Sequence, residues 1–472
     1  MRSAPRRLSA LACALALVLA LAGCVPQSAP SASPSASPTP APSAPIDETP
    51  VSLTVVGMPP GASAASQQRL IDAVASFQKA NPHITVSTRQ YEWVAASFVT
   101  DLAGGMLPDV FEIPFPDARV RAADKQLADL TDLLGHFPFN GAFNPNLLQP
   151  AAAADGRVYA VPAEAVYGVG LHYHRGLFAQ AGLDPDKPPT SWDEVRAYAK
   201  QIADQTEADG LAVPTVDGAG GWQVAAASFA RGGSLTVIGV DGSVTATLAN
   251  PATRAALQFW KDLRWTDGSL AAQDGLDPDA VLQAFANGQL GMLVAAQDAF
   301  GALVREGLAP ADYGLTMIPL EGEGSGVLGG GWLAAVKPGV DERVKAAAAK
   351  WISYWYLGRY ASEQAAQEWA QAALAANQPV GVPELPLFTE DGIAQYHRWI
   401  APYATVPANQ SMGFTTQINT ARIVIEPPVA THEVYTALDV VVRAVLTDQN
   451  ADLDRLLADA NLVAQQAINA AQ

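Results

Sequence analysis

From residue 51 onward, short apolar segments alternate with longer segments whose apolar residues recur at helical spacing. Three segments rich in β-branched or other apolar residues predict strands: VSLTVVG (51–57), HITVSTR (83–89) and DVFEIP (109–114). Two segments between them predict amphipathic helices: QQRLIDAVASFQKA (67–80) and WVAASFVTDLAGG (93–105). Strands and helices that alternate in this way favour an α/β fold with a doubly wound, mainly parallel sheet.

Helix start signals recur further along the chain. Ser191-Trp192-Asp193-Glu194 has the form of a capping box, in which the Ser and Glu side chains satisfy free backbone N–H groups. Asn250-Pro251 and Asp277-Pro278 each place a capping side chain before a proline that suits the first helical turn. Ligands of open α/β sheets bind at the carboxyl ends of strands, so the turns after predicted strands are where a site is expected.

The first apolar segment, Leu8 to Gly23, has a different character because three arginines precede it. It is shorter than the roughly 20 residues that span a bilayer, so it predicts a secretory signal peptide, residues 1–23. The sequence Leu21-Ala22-Gly23-Cys24 resembles a bacterial lipobox, which implies cleavage before Cys24 and lipidation of its sulfur. An ordinary signal peptide with an incidental cysteine is the alternative.

Residues 24–48 are rich in Ser, Pro and Ala. Such a segment buries too little apolar surface to offset its chain entropy, so it predicts a disordered tether. The other cysteine, Cys13, lies within the predicted signal peptide. The cleaved chain would therefore keep Cys24 alone and form no internal disulfide.

Charge and length narrow the classes of function. The 472 residues include 28 Lys and Arg against 46 Asp and Glu, a formal net charge of −18. No basic cluster is present in the sequence, which argues against nucleic acid or an anionic membrane surface as a partner. About 420 residues follow the tether, which is enough for two domains with sizeable cores.

Motifs for catalysis or metal binding are weak. Ser76-Phe77-Gln78-Lys79 matches S-x-x-K, but the companion S-D-N and K-T-G motifs are missing from the sequence. His172 and His174 alternate as on one strand face, and Thr431-His432-Glu433 lacks the second histidine of a zinc helix motif. We therefore expect no cofactor and no metal. A carboxylate pair for glycoside hydrolysis is not readable from sequence, so an enzyme stays the alternative class.

The stretch YAVPAEAVYGVGLHYHRGLFAQAGLDPDKPPTSWDEVRAYAKQI (159–202) resembles the hallmark of family 1 extracellular solute-binding proteins of ABC sugar importers. Here His174 replaces the Asn of the family's Tyr-Asn pair. Five further segments resemble the family in its order: FQKANPHITV, DLAGGMLPDVFEI, LANPATRAALQFWKDL, FANGQLGMLVAAQDAF and DYGLTMIPLEGEGSGVLGGGWLAAVKP. Together these segments place most of the chain after Val51 within the resemblance.

The resemblance implies a two-lobed, periplasmic-binding-protein-like fold of type II. We expect a first lobe of residues 49–163 plus 331–395 and a second of 164–330 plus 396–472. Strands are expected to cross between lobes near 163–166 and 328–331. The implied function is that of a monomeric, lipid-anchored receptor outside the cytoplasm. It would capture a sugar or oligosaccharide and deliver it to an ABC transporter permease, without catalysis.

Sugars present apolar faces and many hydroxyls, so aromatic and planar polar side chains are the candidates to bind them. The resemblance points to Glu164 for sugar hydroxyls and to Tyr167 on the same wall. Eight side chains form the predicted site: Trp93, Glu112, Glu164, Tyr167, Trp222, Gln297, Asp298 and Trp332. The alternatives are a solvated crossing residue for Glu164, packing in the hinge for Tyr167 and capping of the following helix for Trp93.

Asp298 departs from the family pattern, which often has an aromatic residue there. In the cleft it would accept hydroxyl hydrogen bonds or pair with a cationic ligand. Arg422 is a further candidate that would instead bind a phosphate or carboxylate. A cationic or phosphorylated small solute is therefore the alternative ligand to a neutral sugar.

Overall fold

The computed structural model describes residues 49–471 except 60, 95–96, 150–151, 154, 240–241 and 272–274, with the backbone alone at 164 and 165. The predicted signal peptide, Cys24 and the predicted tether lie outside the described residues. The chain from Thr49 onward forms one compact unit. Among its described residues, no helix combines the length and apolar composition needed to cross a membrane.

Strands of very different length build the fold. They are β1 (Val51–Val56), β2 (Ile84–Arg89), β3 (Val110–Pro114), β4 (Ala160–His174), β5 (Asp209–Leu211), β6 (Thr236–Ile238), β7 (Val244–Ala246), β8 (Leu290–Ala296), β9 (Tyr313–Met317), β10 (Val327–Val336) and β11 (Ile423–Ile425).

Helices connect and cover these strands. They are α1 (Ala64–Ala80), α2 (Phe98–Ala103), α3 (Ala118–Ala123), α4 (Pro145–Leu148), α5 (Arg175–Gln180), α6 (Trp192–Gln205), α7 (Ala219–Phe229), α8 (Pro251–Asp262), α9 (Pro278–Ala286), α10 (Phe300–Arg305), α11 (Glu342–Trp355), α12 (Glu363–Ala375), α13 (Glu390–Ile400), α14 (Met412–Ile418), α15 (Thr431–Thr447) and α16 (Leu453–Ala471).

The strands form a large mixed sheet in the order β2-β1-β3-β10-β4-β8-β5, in which β11 also pairs with β10 and β9 with β4. The pairs toward the two ends of the sheet are parallel: β1 with β2, β1 with β3, and β5 with β8. The long strands β4 and β10 run antiparallel to each other. β6 and β7 form a separate two-stranded sheet. The predicted α/β class is confirmed.

β4 joins the two halves of the large sheet. Residues 160–168 pair with β10, whereas residues 169–174 pair with β8 and β9. β10 pairs first with β11 and β4 and then with β3, with a register irregularity between Gly330 and Leu333. Gly331 has φ +123°, a backbone conformation that suits glycine. These two strands lie where the sequence places the crossings between lobes.

Local sequence signals account for the strand and helix bounds. The three predicted strands agree with β1, β2 and β3 to within one residue. Ser191 Oγ accepts from Glu194 N at 3.2 Å, and the Glu194 carboxylate accepts from Thr190 N at 2.7 Å. The capping box is therefore present, with the Glu side chain bonded one residue upstream of its usual partner.

The proline-preceded caps are also confirmed, since Asn250 Oδ1 accepts from Thr253 N at 2.9 Å and Asp277 Oδ1 accepts from Ala280 N at 2.6 Å. The second predicted helix is shorter than expected, because α2 begins only at Phe98. Trp93 lies ahead of it and packs on the Phe98 ring, with centroids 4.7 Å apart.

Candidate functional site

Tyr167 lies where β4 leaves β10 and continues beside β8. Its backbone pairs with Gly330, and two residues later Val169 pairs with Ala296 of β8. A Cβ built on Gly330 would lie 2.8 Å from Tyr167 Cε1 and 3.0 Å from its hydroxyl oxygen. The glycine in β10 therefore makes the space that the tyrosine ring occupies, at the junction of the two sheet halves.

Three polar side chains gather around this tyrosine. Trp222 Nε1 donates to the Tyr167 hydroxyl oxygen at 3.3 Å, and the Tyr167 hydroxyl hydrogen bonds to the Glu426 carboxylate. The Tyr435 hydroxyl donates to Glu426 Oε1 at 3.1 Å. We call Tyr167, Trp222, Glu426 and Tyr435 the Tyr167 cluster. It joins β4, the first turn of α7, the segment after β11 and the first turns of α15.

Close packing of α7 on α15 holds two members of the cluster in place. A Cβ on Gly221 would lie 2.1 Å from the backbone oxygen of Tyr435, so glycine permits the helices to approach. The buried Asp439 carboxylate accepts from Gly218 N at 2.6 Å and from Gly221 N at 2.8 Å. It thereby satisfies free N–H groups at the start of α7. The contact between the α7 and α15 backbones therefore positions Trp222 and Tyr435, in addition to the hydrogen bonds of their side chains.

Burial sets the electrostatics of the cluster. It raises the pKa of the Glu426 carboxyl, although hydrogen bonds from Tyr435 and Tyr167 act in the opposite direction. Burial also raises the pKa of both tyrosine hydroxyls, and the neighbouring Glu426 adds to that shift. The tyrosines therefore stay protonated donors, and Glu426 accepts hydrogen bonds in surroundings where such bonds are strengthened by low polarity.

A pocket of about 520 Å³ lies beside the Tyr167 cluster. The polar side chains that line it are Asp217, Trp222, Gln223, Glu426 and Tyr435. The remaining lining side chains are those of alanine, valine, leucine and proline, mostly from the segments around β8, α9 and α10, with Pro214 and Ala219 from the start of α7 and the segment before it. Its size falls within the range of small-molecule sites, and a few convergent polar groups in a mostly apolar pocket are typical of them. Among the described residues, no three His, Cys, Asp or Glu side chains converge as metal ligands.

Trp93 and Glu112 of the predicted site lie near β3. Trp93 is half-buried, and the Arg121 guanidinium lies 5.6 Å from the centroid of its ring. Glu112 Oε1 accepts a hydrogen bond from the Tyr356 hydroxyl at 2.7 Å. Both side chains therefore have partners in their own part of the fold.

The predicted pair Glu164 and Trp332 meets in the sheet register. The Trp332 backbone lies opposite Glu164 of β4 on one side and Pro114 of β3 on the other. Trp332 is half-buried and comes directly after the positive-φ Gly331. The register places residues 164 and 332 opposite each other on adjacent strands. Residue 164 lies three positions before Tyr167 in β4, and residue 332 lies two positions after Gly330 in β10.

Gln297 and Asp298 follow the carboxyl end of β8. Gln297 is buried, and its Oε1 accepts from Gly168 N at 2.7 Å, so it ties β8 to the strand junction. Asp298 is exposed and borders a cavity of about 180 Å³ together with Arg359 and Glu384. Arg359 is paired with Glu384 at 2.8 and 3.0 Å. Arg359, which lines this cavity with Asp298, therefore already has a carboxylate partner.

Two members of the Tyr167 cluster were missed from the sequence. Glu426 carries the same signal as other strand-end candidates, because it follows the β-branched run Ile423–Ile425. Tyr435 offers no such signal, because it lies at apolar helical spacing in α15 and reads as a core residue. Arg422 is exposed and donates a hydrogen bond to the Gly324 carbonyl oxygen.

Comparison with known proteins shows the family to which this chain is similar. Residues 61–361 match the family described as bacterial extracellular solute-binding protein. The putative ABC transporter periplasmic-binding protein YcjN of Escherichia coli (strain K12) is 28% identical over 257 residues, 52% of this chain and 56% of that protein. The sn-glycerol-3-phosphate-binding periplasmic protein UgpB of Pectobacterium atrosepticum is 23% identical over 254 residues, 52% of this chain and 54% of that protein. The chain spans about half the length of these curated relatives.

A solved structure gives the fold independently. The cyclic alpha-maltosyl-1,6-maltose binding protein from Arthrobacter globiformis superposes with a TM-score of 0.64 at 23% identity, covering 89% of this chain and 100% of that chain. This likeness confirms the two-lobed solute-binding fold. Because the family match extends over more than half of the chain, the protein belongs to the bacterial extracellular solute-binding proteins, a family of receptors that bind solutes outside the cytoplasm.

Proposed function

We propose that this protein captures a carbohydrate in the pocket beside the Tyr167 cluster and delivers it to the permease of an ABC importer. The observation that carries the proposal is the cluster itself, in which the Trp222 indole, the Glu426 carboxyl and the Tyr435 hydroxyl line the pocket. Tyr167 lies outside the lining and is hydrogen bonded to Trp222 and Glu426. Indole and phenol rings suit the C–H faces of a sugar, and the hydroxyl and carboxyl groups suit its hydroxyls. The family supplies the context of a receptor rather than an enzyme.

The strand junction supports capture by closure of the lobes. β4 runs through both halves of the sheet, and the cluster lies where β4 leaves β10. A solute that contacts both lobes binds the closed form better than the open form, and this difference in affinity drives closure. We retain the predicted lobe bounds as part of this proposal.

Anchoring and delivery are the outer parts of the proposal. The lipobox-like sequence before Cys24 and the Ser/Pro/Ala-rich residues 24–48 support a lipid anchor with a flexible leash. A leash would hold the receptor near its permease and raise the effective concentration of the pair. Fatty-acid labelling of whole cells tests the anchor, and label retained by Cys24→Ser would exclude it.

A phosphorylated solute is the second candidate, and one observation favours it. Arg119 and Arg422 line a pocket of about 330 Å³ that Glu426 also borders. The relative UgpB is named for binding sn-glycerol 3-phosphate. We favour the carbohydrate because the described residues that line the pocket beside the Tyr167 cluster include two acids and the Tyr435 hydroxyl but no arginine or lysine.

Titration calorimetry with a panel of sugars and polyols tests the main proposal, with Glu426→Gln as the variant. This substitution keeps the side-chain volume but removes the charged acceptor, so the affinity of the sugar that binds is expected to fall about tenfold, or roughly 1.4 kcal/mol. Glu433→Gln, an exposed position of α15, is the matched control and should bind as the wild type does. Unchanged affinity in Glu426→Gln would remove the cluster from the site, and turnover of a chromogenic glycoside would favour the enzyme class.

A further inference from the structure

The pocket beside the Tyr167 cluster has two kinds of wall. Its polar groups come from the cluster and its sequence neighbours, whereas a separate part of the wall is aliphatic. We call that part the aliphatic compartment and define it by residues of α9, β8 and the start of α10: Val281, Leu282, Val294, Ala296, Ala299 and Ala302. The compartment is continuous with Trp222, Glu426 and Tyr435 of the cluster, because all of them line one cavity.

Two backbone carbonyl groups of β8 on this wall already accept hydrogen bonds from buried side chains. Gln223 Nε2 donates to the Val294 carbonyl oxygen at 2.7 Å. His172 Nε2 lies 3.1 Å from the Ala296 carbonyl oxygen and donates to it. Both side chains are buried. Two carbonyl groups of the wall strand are therefore already bonded from within the protein, and the strand presents aliphatic side chains to the pocket.

A bare sugar is a poor occupant of such a wall. A hydroxyl that leaves water without a new partner loses a hydrogen bond, which is costly in apolar surroundings. A water molecule would meet the same shortage of partners, since buried waters need two to four polar neighbours. An alkyl or aryl group instead gains from leaving water.

We propose that the solute carries an apolar substituent, such as an alkyl, acyl or aryl group on a sugar, which enters the aliphatic compartment. Its hydroxyls bond to the Tyr167 cluster at the same time. This inference rests on the proposed carbohydrate-binding function and narrows the class of ligand. It predicts that affinity grows with the apolar group even when the sugar is unchanged.

Titration calorimetry with matched pairs tests it: maltose against hexyl β-D-maltoside, and glucose against hexyl β-D-glucoside, all below the micellar concentration. The hexyl glycoside is expected to bind at least about tenfold more tightly than its parent sugar. Equal affinities within each pair would overturn the inference while leaving the proposed function in place. Binding of n-hexanol without binding of any sugar or glycoside would overturn the proposed function and support an apolar ligand group.

Two variants place the substituent within the pocket. Ala299→Leu and Ala302→Leu narrow the aliphatic compartment, so the hexyl-to-parent affinity ratio is expected to fall to near one. Ala255→Leu adds the same atoms at an exposed position of α8 and should keep the wild-type ratio. Melting curves without ligand establish that each variant folds. A ratio that stays near tenfold in both folded pocket variants would overturn the inference, because the hexyl group would then bind elsewhere.

Discussion

A carboxyl group between two tyrosine hydroxyls differs from a carboxylate in open water. Burial raises the pKa of Glu426, while the hydrogen bonds from Tyr167 and Tyr435 favour its charged form. Since its folded pKa lies above the unfolded value, Glu426 stabilises the fold at low pH and loses that contribution as pH rises through its folded pKa. Ligand hydroxyls that donate to Glu426 would supply the missing stabilisation of its charge. Above its folded pKa, the Glu426 charge is therefore expected to be better stabilised with a hydroxyl ligand bound than in the free protein.

His172 leads to a prediction about acid stability. It is fully buried, its Nε2 donates to Ala296, and burial lowers its pKa from 6.5 to about 4. Between these pH values the unfolded chain binds a proton that the folded protein does not, so stability falls as the solution is acidified. The loss reaches at most about 3 kcal/mol. His172→Gln is expected to lose less stability between pH 7 and pH 4.5, by urea denaturation at both values.

The exposed His136 provides the control for this measurement. His136→Gln should follow the wild-type pH dependence, because the substitution leaves the buried His172 in place. Identical pH dependence in wild type and His172→Gln would contradict the buried, neutral imidazole behind the pocket wall.

At the scale of elements, β10 has a glycine, Gly330, where the Tyr167 ring of β4 packs against it. A Cβ on Gly330 would lie 2.8 Å from Tyr167 Cε1, so Gly330→Ala must displace the ring. We expect a loss of roughly 1–3 kcal/mol in the free energy of unfolding, as for other overpacked sites. Affinity for the carbohydrate should fall as well, because Tyr167 would lose its place beside Trp222 and Glu426.

Denaturant unfolding and ligand titration on Gly330→Ala check this prediction. Gly135→Ala serves as the matched control, since a Cβ there would meet no atom within 4 Å. A Gly330→Ala protein that unfolds and binds like Gly135→Ala would show that the close approach of β10 to Tyr167 is not required.

The elements were more predictable than the site. β1, β2 and β3 follow β-branched runs with clear breaks, and Ser191, Asn250 and Asp277 cap their helices through contacts within four residues. These signals are local, so the sequence alone carries them. Tyr167 was predicted because it lies in the stretch that resembles the family, and Trp222 because it follows glycines at a predicted helix start. Glu426 and Tyr435 reach them only through the packing of α7 on α15, more than 200 residues apart in sequence. No local pattern records that contact.

At the scale of the whole molecule, net charge separates the two candidate ligands. The formal charge of −18 sets up a field that acts on a charged solute and leaves a neutral sugar unaffected. Added salt screens such interactions, with a Debye length of about 8 Å at physiological ionic strength and about 3 Å at 1 M. A phosphorylated solute would bind against the overall field through local arginines. The salt dependence of the affinity therefore distinguishes a neutral sugar from a phosphorylated solute.

We expect the affinity for a neutral sugar or alkyl glycoside to change less than about twofold between low salt and 0.5 M NaCl. The affinity of glycerol 3-phosphate, if Arg119 and Arg422 hold it, should fall several-fold over the same range, because both guanidinium groups are exposed. The double variant Arg119→Gln, Arg422→Gln should abolish the phosphate binding. Titrations at both salt concentrations with all three ligands decide between the candidates. Steep salt dependence with glycerol 3-phosphate and no binding of any neutral ligand would replace the carbohydrate with a phosphorylated solute, held by the arginine-lined pocket that shares Glu426 with the Tyr167 cluster.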